Sequence, residues 1–323
     1  MTSLNPGSSD PGEHSRPRKV AIVFNPASGG DTSTEHSDKL KAKLEEAGVE
    51  FSWFETTPED GGKAMTRQAV EQGAELVIAA GGDGTVMACA TALSGTDVPL
   101  AVVPFGTGNL VAANFDIPTD MDDALEIALE CRRRRIDLGS HGEDRFVIAA
   151  GMGIDAAMLR DTDKRLKARV GPLAYVVSAL KSIRRSRVDY KLAIDDQAPV
   201  TRRGQGVMVC NLGRIQGGLP ILPDAVPDDG LLDVGVFRTK TLRDWAAVAI
   251  SVIARHHGRP PELETFKARR ITVRTRLPQP VQFDGDAAGP AVELDVEVAP
   301  SALILAVPAH QVDQSPPVRR HPE

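Results

Sequence analysis

Between Lys19 and Arg135 the chain alternates between short apolar runs and longer stretches with helical spacing. Lys19–Phe24, Val49–Phe54, Glu75–Ala80 and Leu100–Val103 are apolar, β-capable and bounded by glycine, proline or polar residues, which predicts four strands. Ser37–Ala47 (closed by Gly48), Gly62–Gln72, Thr85–Leu93 and Asp120–Cys131 predict the helices that connect and follow them. Strands alternating with helices form a parallel sheet covered on both faces. Such sheets bind ligands at the C-terminal ends of their strands.

Beyond Ile136 strands dominate: Arg145–Ala150, Val188–Ile194, Gly206–Asn211, Leu231–Arg238, Ile271–Thr275, Val281–Phe283, Val292–Val298 and Leu303–Val307. Two inserted helices are predicted at Lys167–Ile183 and Leu242–Ala254, and no internal repeat is visible. The fold class is therefore α/β, with an N-terminal parallel α/β domain over 19–136 and a C-terminal, mostly antiparallel β-rich domain over 137–308. Polar tails at 1–18 and 309–323 read as disordered.

Composition narrows the function classes. The chain's 323 residues suit two domains, and 41% apolar with 25% charged residues is ordinary for a globular protein. A 4% aromatic content and a net charge of −6 argue against a nucleic-acid binder. Cys89, Cys131 and Cys210 lie far apart without paired spacing, so neither zinc nor a disulfide framework is expected and a reducing compartment fits. The first eighteen residues lack the apolar core of a signal peptide, and the longest apolar run, Trp245–Ala254, is about half of what a bilayer-spanning helix needs. A cytoplasmic protein that can still touch a membrane surface is the expectation. Arg132–Arg135 follow a helix with acids at its start, which reads as a solvated helix end; a lipid or phosphate contact is the alternative.

The candidate chemistry lies in the loops after the first strands. Gly81-Gly82-Asp83-Gly84-Thr85 joins a buried strand to a helix, a place where backbone N–H groups face a bound anion. Glycine lets the main chain approach a phosphate, and Asp83 can hold a metal or an ordered water; the same residues are also good turn formers. Two further loops have similar composition: Asn25-Pro26-Ala27-Ser28-Gly29-Gly30 and Pro104-Phe105-Gly106-Thr107-Gly108-Asn109. Three such loops on one sheet edge point to nucleotide binding.

These motifs resemble those of the soluble diacylglycerol kinase-type lipid kinases, a family that includes bacterial diacylglycerol kinases and sphingosine kinases. The resemblance runs from about Lys19 to about Pro308. It adds Gly153-Ile154-Asp155-Ala156, Pro223-Asp224-Ala225 leading to Asp228-Asp229-Gly230-Leu231-Leu232-Asp233, and Phe283-Asp284-Gly285-Asp286 to the three loops. It implies an ATP-binding α/β domain like that of NAD kinases and diacylglycerol kinases, followed by a β-sandwich-like lipid domain, with catalysis in the cleft.

By that resemblance Asn25, Pro26, Ser28, Gly29, Gly81, Gly82, Gly84, Thr85, Gly106, Thr107, Gly108 and Asn109 cradle ATP, and Thr57 contacts its ribose or adenine. Asp284 is implied as the general base, and Asp83 as the organiser of Mg²⁺ beside the phosphates. Asp286, implied in the metal or nucleotide network, stands where the family usually has Glu, a swap that keeps the charge and shortens the side chain. Asp-Gly is at the same time a common hairpin turn. Asp224, Asp228 and Asp229 offer hard oxygen ligands for a second, structural Mg²⁺, or form a solvated acidic turn. Met87-Ala88 and Leu110-Val111-Ala112-Ala113-Asn114 replace more polar residues of the family and leave the acceptor open.

The implied activity is transfer of the γ-phosphoryl of ATP to a lipid hydroxyl, with diacylglycerol as the leading acceptor. An NAD kinase shares the Gly-Gly-Asp-Gly-Thr signature, and a non-catalytic nucleotide-binding regulator is a second alternative. A lipid acceptor requires peripheral contact with the inner face of the membrane. The apolar stripe Leu173, Val176, Val177, Leu180 and Ile183, flanked by cations from Lys164 to Arg187, either docks there or packs on the sandwich. Trp245–Ala254 is either buried or lines an acyl pocket, and an exposed sheet edge would permit a homodimer.

Overall fold

The computed structural model describes residues 16–28, 30, 33–153, 187–215, 219–220, 222, 224–238 and 262–312. The helices expected at Lys167–Ile183 and Leu242–Ala254, with the surface and pocket assigned to them, lie outside the described residues, as do Gly29, Ile154–Ala156 and Pro223.

The N-terminal half is built on parallel strands β1 (Lys19–Phe24), β2 (Glu50–Glu55), β3 (Leu76–Gly81) and β4 (Leu100–Pro104). Their order is β4-β3-β1-β2. β3 and β4 are buried throughout, as a two-sided parallel sheet requires, whereas β2 carries Glu50 and Glu55 at its ends and forms the edge. Helices α1 (Ser33–Glu46), α2 (Lys63–Glu71), α3 (Asp83–Leu93), α4 (Leu110–Asn114) and α5 (Met121–Glu130) connect and follow these strands. Helix α1 buries Leu40 and Leu44, and α3 buries Val86, Cys89, Ala90 and Leu93.

Asp120 caps α5 by accepting the N–H groups of Asp122 at 2.9 Å and Asp123 at 3.2 Å, and Cys131 ends the helix in the left-handed region at φ 50°. The arginine run beyond it is not a helix end. It opens strand β5 (Arg133–His141), in which Arg133 and Arg135 face outward and Arg134 is buried. Period-two alternation decides that split.

The C-terminal half is antiparallel. Its strands are β6 (Asp144–Phe146), β7 (Ala149–Met152), β8 (Val188–Ile194), β9 (Val200–Gly204), β10 (Gly206–Cys210), the short pair β11 (Arg214–Ile215) and β12 (Leu219–Pro220), β13 (Leu232–Phe237), β14 (Leu263–Ala268), β15 (Arg270–Phe283) and β16 (Asp286–Ala306). The expected strand Arg145–Ala150 breaks in two at Val147–Ile148. Conversely, the four runs expected between Ile271 and Val307 merge into two long strands that tolerate register shifts between Arg274 and Gln279 and between Ala299 and Leu303. Strand β16 starts beside the Asp284 turn and ends against the first half, pairing with β5 and, through Leu305 opposite Leu100, in parallel with β4. The last described element is helix α6 (Ala309–Val312), so the tail expected from 309 begins with an ordered turn.

Candidate active site

Three loops leave the C-terminal ends of β1, β3 and β4 and meet. The Asn25 N–H donates to Ala80 O at 2.9 Å, and the Phe105 N–H donates to Gly81 O at 2.9 Å, so the first and third loops are both tied to the second. Asn25 Nδ2 also donates to Thr85 Oγ1 at 3.2 Å, and its Oδ1 accepts the Ala27 N–H at 2.9 Å, shaping the turn Pro26–Ser28. Glycine is required where the loops touch. A Cβ on Gly106 would stand 2.6 Å from Gly82 Cα, and one on Gly81 would stand 2.7 Å from Thr85 Oγ1. Pro26, Gly84 and Thr107 form the exposed rim, Ser28 is half-buried, and Thr85 is buried behind them. Thr57 is exposed in the turn after β2, where its Oγ1 accepts the Asp60 N–H at 3.2 Å.

Asp83 is the first residue of α3, with Gly82 as the cap. Its Oδ1 accepts the Leu110 N–H at 2.6 Å, which links the second loop to the third, and a Cβ on Gly108 would collide with its Oδ2. Burial raises the Asp83 carboxyl above the ordinary carboxylate range, against the lowering effect of the Leu110 and Asn109 amides. Asn109 is left-handed at φ 47° and donates through Nδ2 to Gly106 O at 2.9 Å, while its Oδ1 is buried without a partner. The close-packed glycines, the exposed rim and the helix N-terminus at Asp83 form a cradle open to an anion, whereas the buried Asn109 Oδ1, an acceptor, would answer a donor rather than a phosphate oxygen.

Asp284 enters from the other half of the chain. Asp284 and Gly285 are the two-residue turn between β15 and β16, with Phe283 paired to Asp286 and positive φ of 48° and 89° at the two turn residues, as a type I′ hairpin requires. Asp-Gly is therefore the hairpin turn expected of it, and forming that turn does not consume the Asp284 carboxylate. The Asp284 carboxylate lies in a concavity of three consecutive backbone amides: Oδ2 accepts Val147 N–H at 2.8 Å, and Oδ1 accepts Ile148 N–H at 2.8 Å and Ala149 N–H at 2.7 Å. The break between β6 and β7 frees these amides. Burial pushes the Asp284 carboxyl up to about 6; the three amides pull it down, and the charge of Asp83 adds to the rise. Two acids 201 positions apart in sequence (284 − 83) thus share one electrostatic environment. Asp286, the first residue of β16, is exposed.

The other acids are engaged differently. Asp228 Oδ2 accepts Arg134 Nε at 3.0 Å, with side chains 10% and 4% exposed, and Arg134 also donates to Gln311 O and Oε1 of α6 at 3.1 and 3.2 Å. Asp229 accepts Lys267 Nζ at 2.7 Å, a cation that also reaches Asp233 at 3.3 Å, and Asp224 is exposed. The expected ligand set for a structural Mg²⁺ is therefore not assembled, because Arg134 and Lys267 supply the positive charge. Among the described residues no group of three or more His, Cys, Asp or Glu side chains could hold a metal. Asp83 is the carboxylate that would hold a Mg²⁺, which would supply charge neutralisation there.

Sequence reasoning missed Asn211, Gln282 and the amides of Val147–Ala149. Asn211 could have been found as the polar end of the run Val207-Met208-Val209-Cys210; the amides carry no side-chain signal.

The profile of the diacylglycerol kinase catalytic domain matches residues 19–141, and that of the YegS C-terminal NAD kinase beta sandwich-like domain matches residues 148–307. The chain is 28% identical over 300 residues to a diacylglycerol kinase of Mycobacterium tuberculosis, spanning 90% of this chain and 96% of the relative. It is 27% identical over 279 residues to a diacylglycerol kinase of Bacillus subtilis, spanning 84% and 91%. A solved diacylglycerol kinase from Bacillus anthracis str. Sterne superposes with a TM-score of 0.73 at 19% identity, over 92% of this chain and 100% of that one. An NAD kinase from Archaeoglobus fulgidus in complex with ATP reaches 0.50 at 14% identity, over 91% and 96%. These structural likenesses establish the fold, a parallel α/β half followed by an antiparallel β-sandwich half.

Proposed function

Because the chain belongs to the diacylglycerol kinase family, as a catalytic domain followed by its β-sandwich partner, and is a kinase with an alcohol acceptor, we propose that it phosphorylates diacylglycerol to phosphatidic acid with ATP and Mg²⁺. Residues 19–136 handle the nucleotide and 137–308 the lipid. The observation that supports this reading is the desolvated carboxylate of Asp284, held by three backbone amides and feeling the charge of Asp83, whose own carboxylate joins the second and third loops through Leu110 N–H.

Phosphoryl transfer needs positioning, charge neutralisation and a proton acceptor for the attacking hydroxyl. The loops after β1, β3 and β4 hold the phosphates through backbone amides, with Thr57 at the nucleoside end and Asp286 at the outer margin. Mg²⁺, when bound at Asp83, offsets phosphate charge. Asp284 takes the hydroxyl proton of the acceptor as the new O–P bond forms, the bond from γ-phosphorus to its bridging oxygen breaks, and ADP leaves. A carboxyl held at about 6 is ionised near neutral pH and still basic enough to accept a proton. The acceptor places the enzyme at the inner surface of the membrane, as a peripheral protein; among the described residues no helix is long and apolar enough to cross.

The test is transfer of labelled phosphate from ATP to diacylglycerol in mixed micelles, with total membrane lipid extract and NAD offered in parallel. Phosphatidic acid should dominate. NADP formation at a comparable rate would overturn the lipid assignment, and a different labelled lipid would replace diacylglycerol.

A further inference from the structure

The grip on Asp284 depends on the orientation of two peptide planes. Ile148 N–H shares a plane with Val147 C=O, and Ala149 N–H shares one with Ile148 C=O, so holding those carbonyls aims both amides. Both amides donate to the same oxygen, Asp284 Oδ1. Both carbonyls are held from behind by one short segment after β10. Asn211 Nδ2 donates to Val147 O at 2.9 Å and to Asp137 O at 2.7 Å, while the N–H groups of Asn211 and Leu212 donate to Ile148 O at 2.8 and 3.2 Å.

Asn211 is 1% exposed and its Oδ1 is buried without a partner. A half-satisfied buried amide is costly, so its persistence calls for a task that its donor end performs. We infer that Asn211 is a positioning residue for Asp284, orienting through Val147 O the Ile148 amide that fixes the carboxylate toward the acceptor hydroxyl. Gln282 secures the turn from the opposite side, its Oε1 accepting Gly285 N–H at 2.6 Å. The kinetic consequence rests on the reading of Asp284 as base.

The test uses Asn211→Ala and Asn211→Ser in the full chain, with the Asp284 carboxyl followed by ¹³C NMR titration and its resonance assigned by its loss in Asp284→Asn. A loosened amide concavity stabilises the ionised carboxylate less, so Asp284 should titrate about one pH unit higher in Asn211→Ala. The shift should be smaller in Asn211→Ser, whose hydroxyl keeps one donor. The acid limb of diacylglycerol phosphorylation should move with it and kcat should fall roughly 10- to 100-fold, with ATP affinity by calorimetry unchanged. An unmoved Asp284 titration in a folded variant overturns the assignment, and failure of both variants to fold reassigns Asn211 to a structural role. Full turnover in Asp284→Asn would instead remove the base, leaving the NMR titration to decide the coupling on its own.

Discussion

Two sets of carboxylates in this protein obey opposite electrostatics. Asp83 and Asp284 are desolvated, receive only backbone amides, and repel one another. Asp228 and Asp229 are met by Arg134 and Lys267. Burial that is unopposed by a cation raises a carboxyl, while a paired charge here ties a loop to a strand. The sequence offers both sets as acidic residues beside glycines, and the difference between them lies in whether a cation arrives from elsewhere in the chain. The first set is the one to which the proposed function assigns proton transfer and phosphate handling. The second ties the 224–230 loop to β5 and β14, and Arg134 adds α6 through Gln311.

The contrast can be broken most directly at Asp284. Asp284→Asn keeps the turn but removes the proposed proton acceptor, and turnover should fall about 10²- to 10⁴-fold with nucleotide binding retained, read by labelled phosphate transfer and calorimetry. Retained turnover would place Asp284 with the structural acids.

Arg134→Ala is the matching test on the other side. It leaves Asp228 buried without its cation and should lower stability by about 3–5 kcal/mol in urea unfolding. The double change Arg134→Met with Asp228→Leu should recover most of that loss. A loss of activity without loss of stability would instead move this pair into the site.

The two sets should also separate along the pH axis. As the proposed base Asp284 must be ionised, so activity should decline as pH falls through about 6. Its folded value lies above the ordinary 3.8, so its stabilising contribution is complete below about pH 3.8 and is lost as pH rises through about 6. Stability relative to Asp284→Asn should therefore decrease over that window. Burial alone would lower the Lys267 ammonium; its hydrogen bond to Asp229 and the charge of Asp233 outweigh that and hold it above its ordinary value of 10.5. The stabilisation from Lys267 is thus complete below 10.5 and is lost only above it, as pH rises through its raised value. Urea midpoints across this range would check both signs.

The smallest effect is expected for Lys267→Met. Its side chain is 39% exposed, so screening limits the loss to at most about 1 kcal/mol by thermal unfolding. A larger loss would show that the acidic loop depends on that one cation.

Much of the plan was legible in the sequence because it rests on local rules. Apolar runs of strand length, the glycines of the three loops and the Asp-Gly turn each declare themselves over a few residues, which is enough for the parallel half and its glycine-rich loop edge. The antiparallel half was less legible. β9 and β14 lack a strong apolar run, and the strand read through Arg145–Ala150 hides the break that matters most. Arg134 could not be told from its neighbours until β5 alternated it inward.

The sequence by itself determined the order of elements, the backbone freedom of the loops and the supply of acids, because propensity and glycine geometry act at short range. Only the tertiary structure decided what each acid does. Charge state depends on solvent exclusion and on partners brought from distant positions, such as the Val147–Ala149 amides to Asp284 and Arg134 to Asp228, and those pairings exist only once the strands have chosen their neighbours.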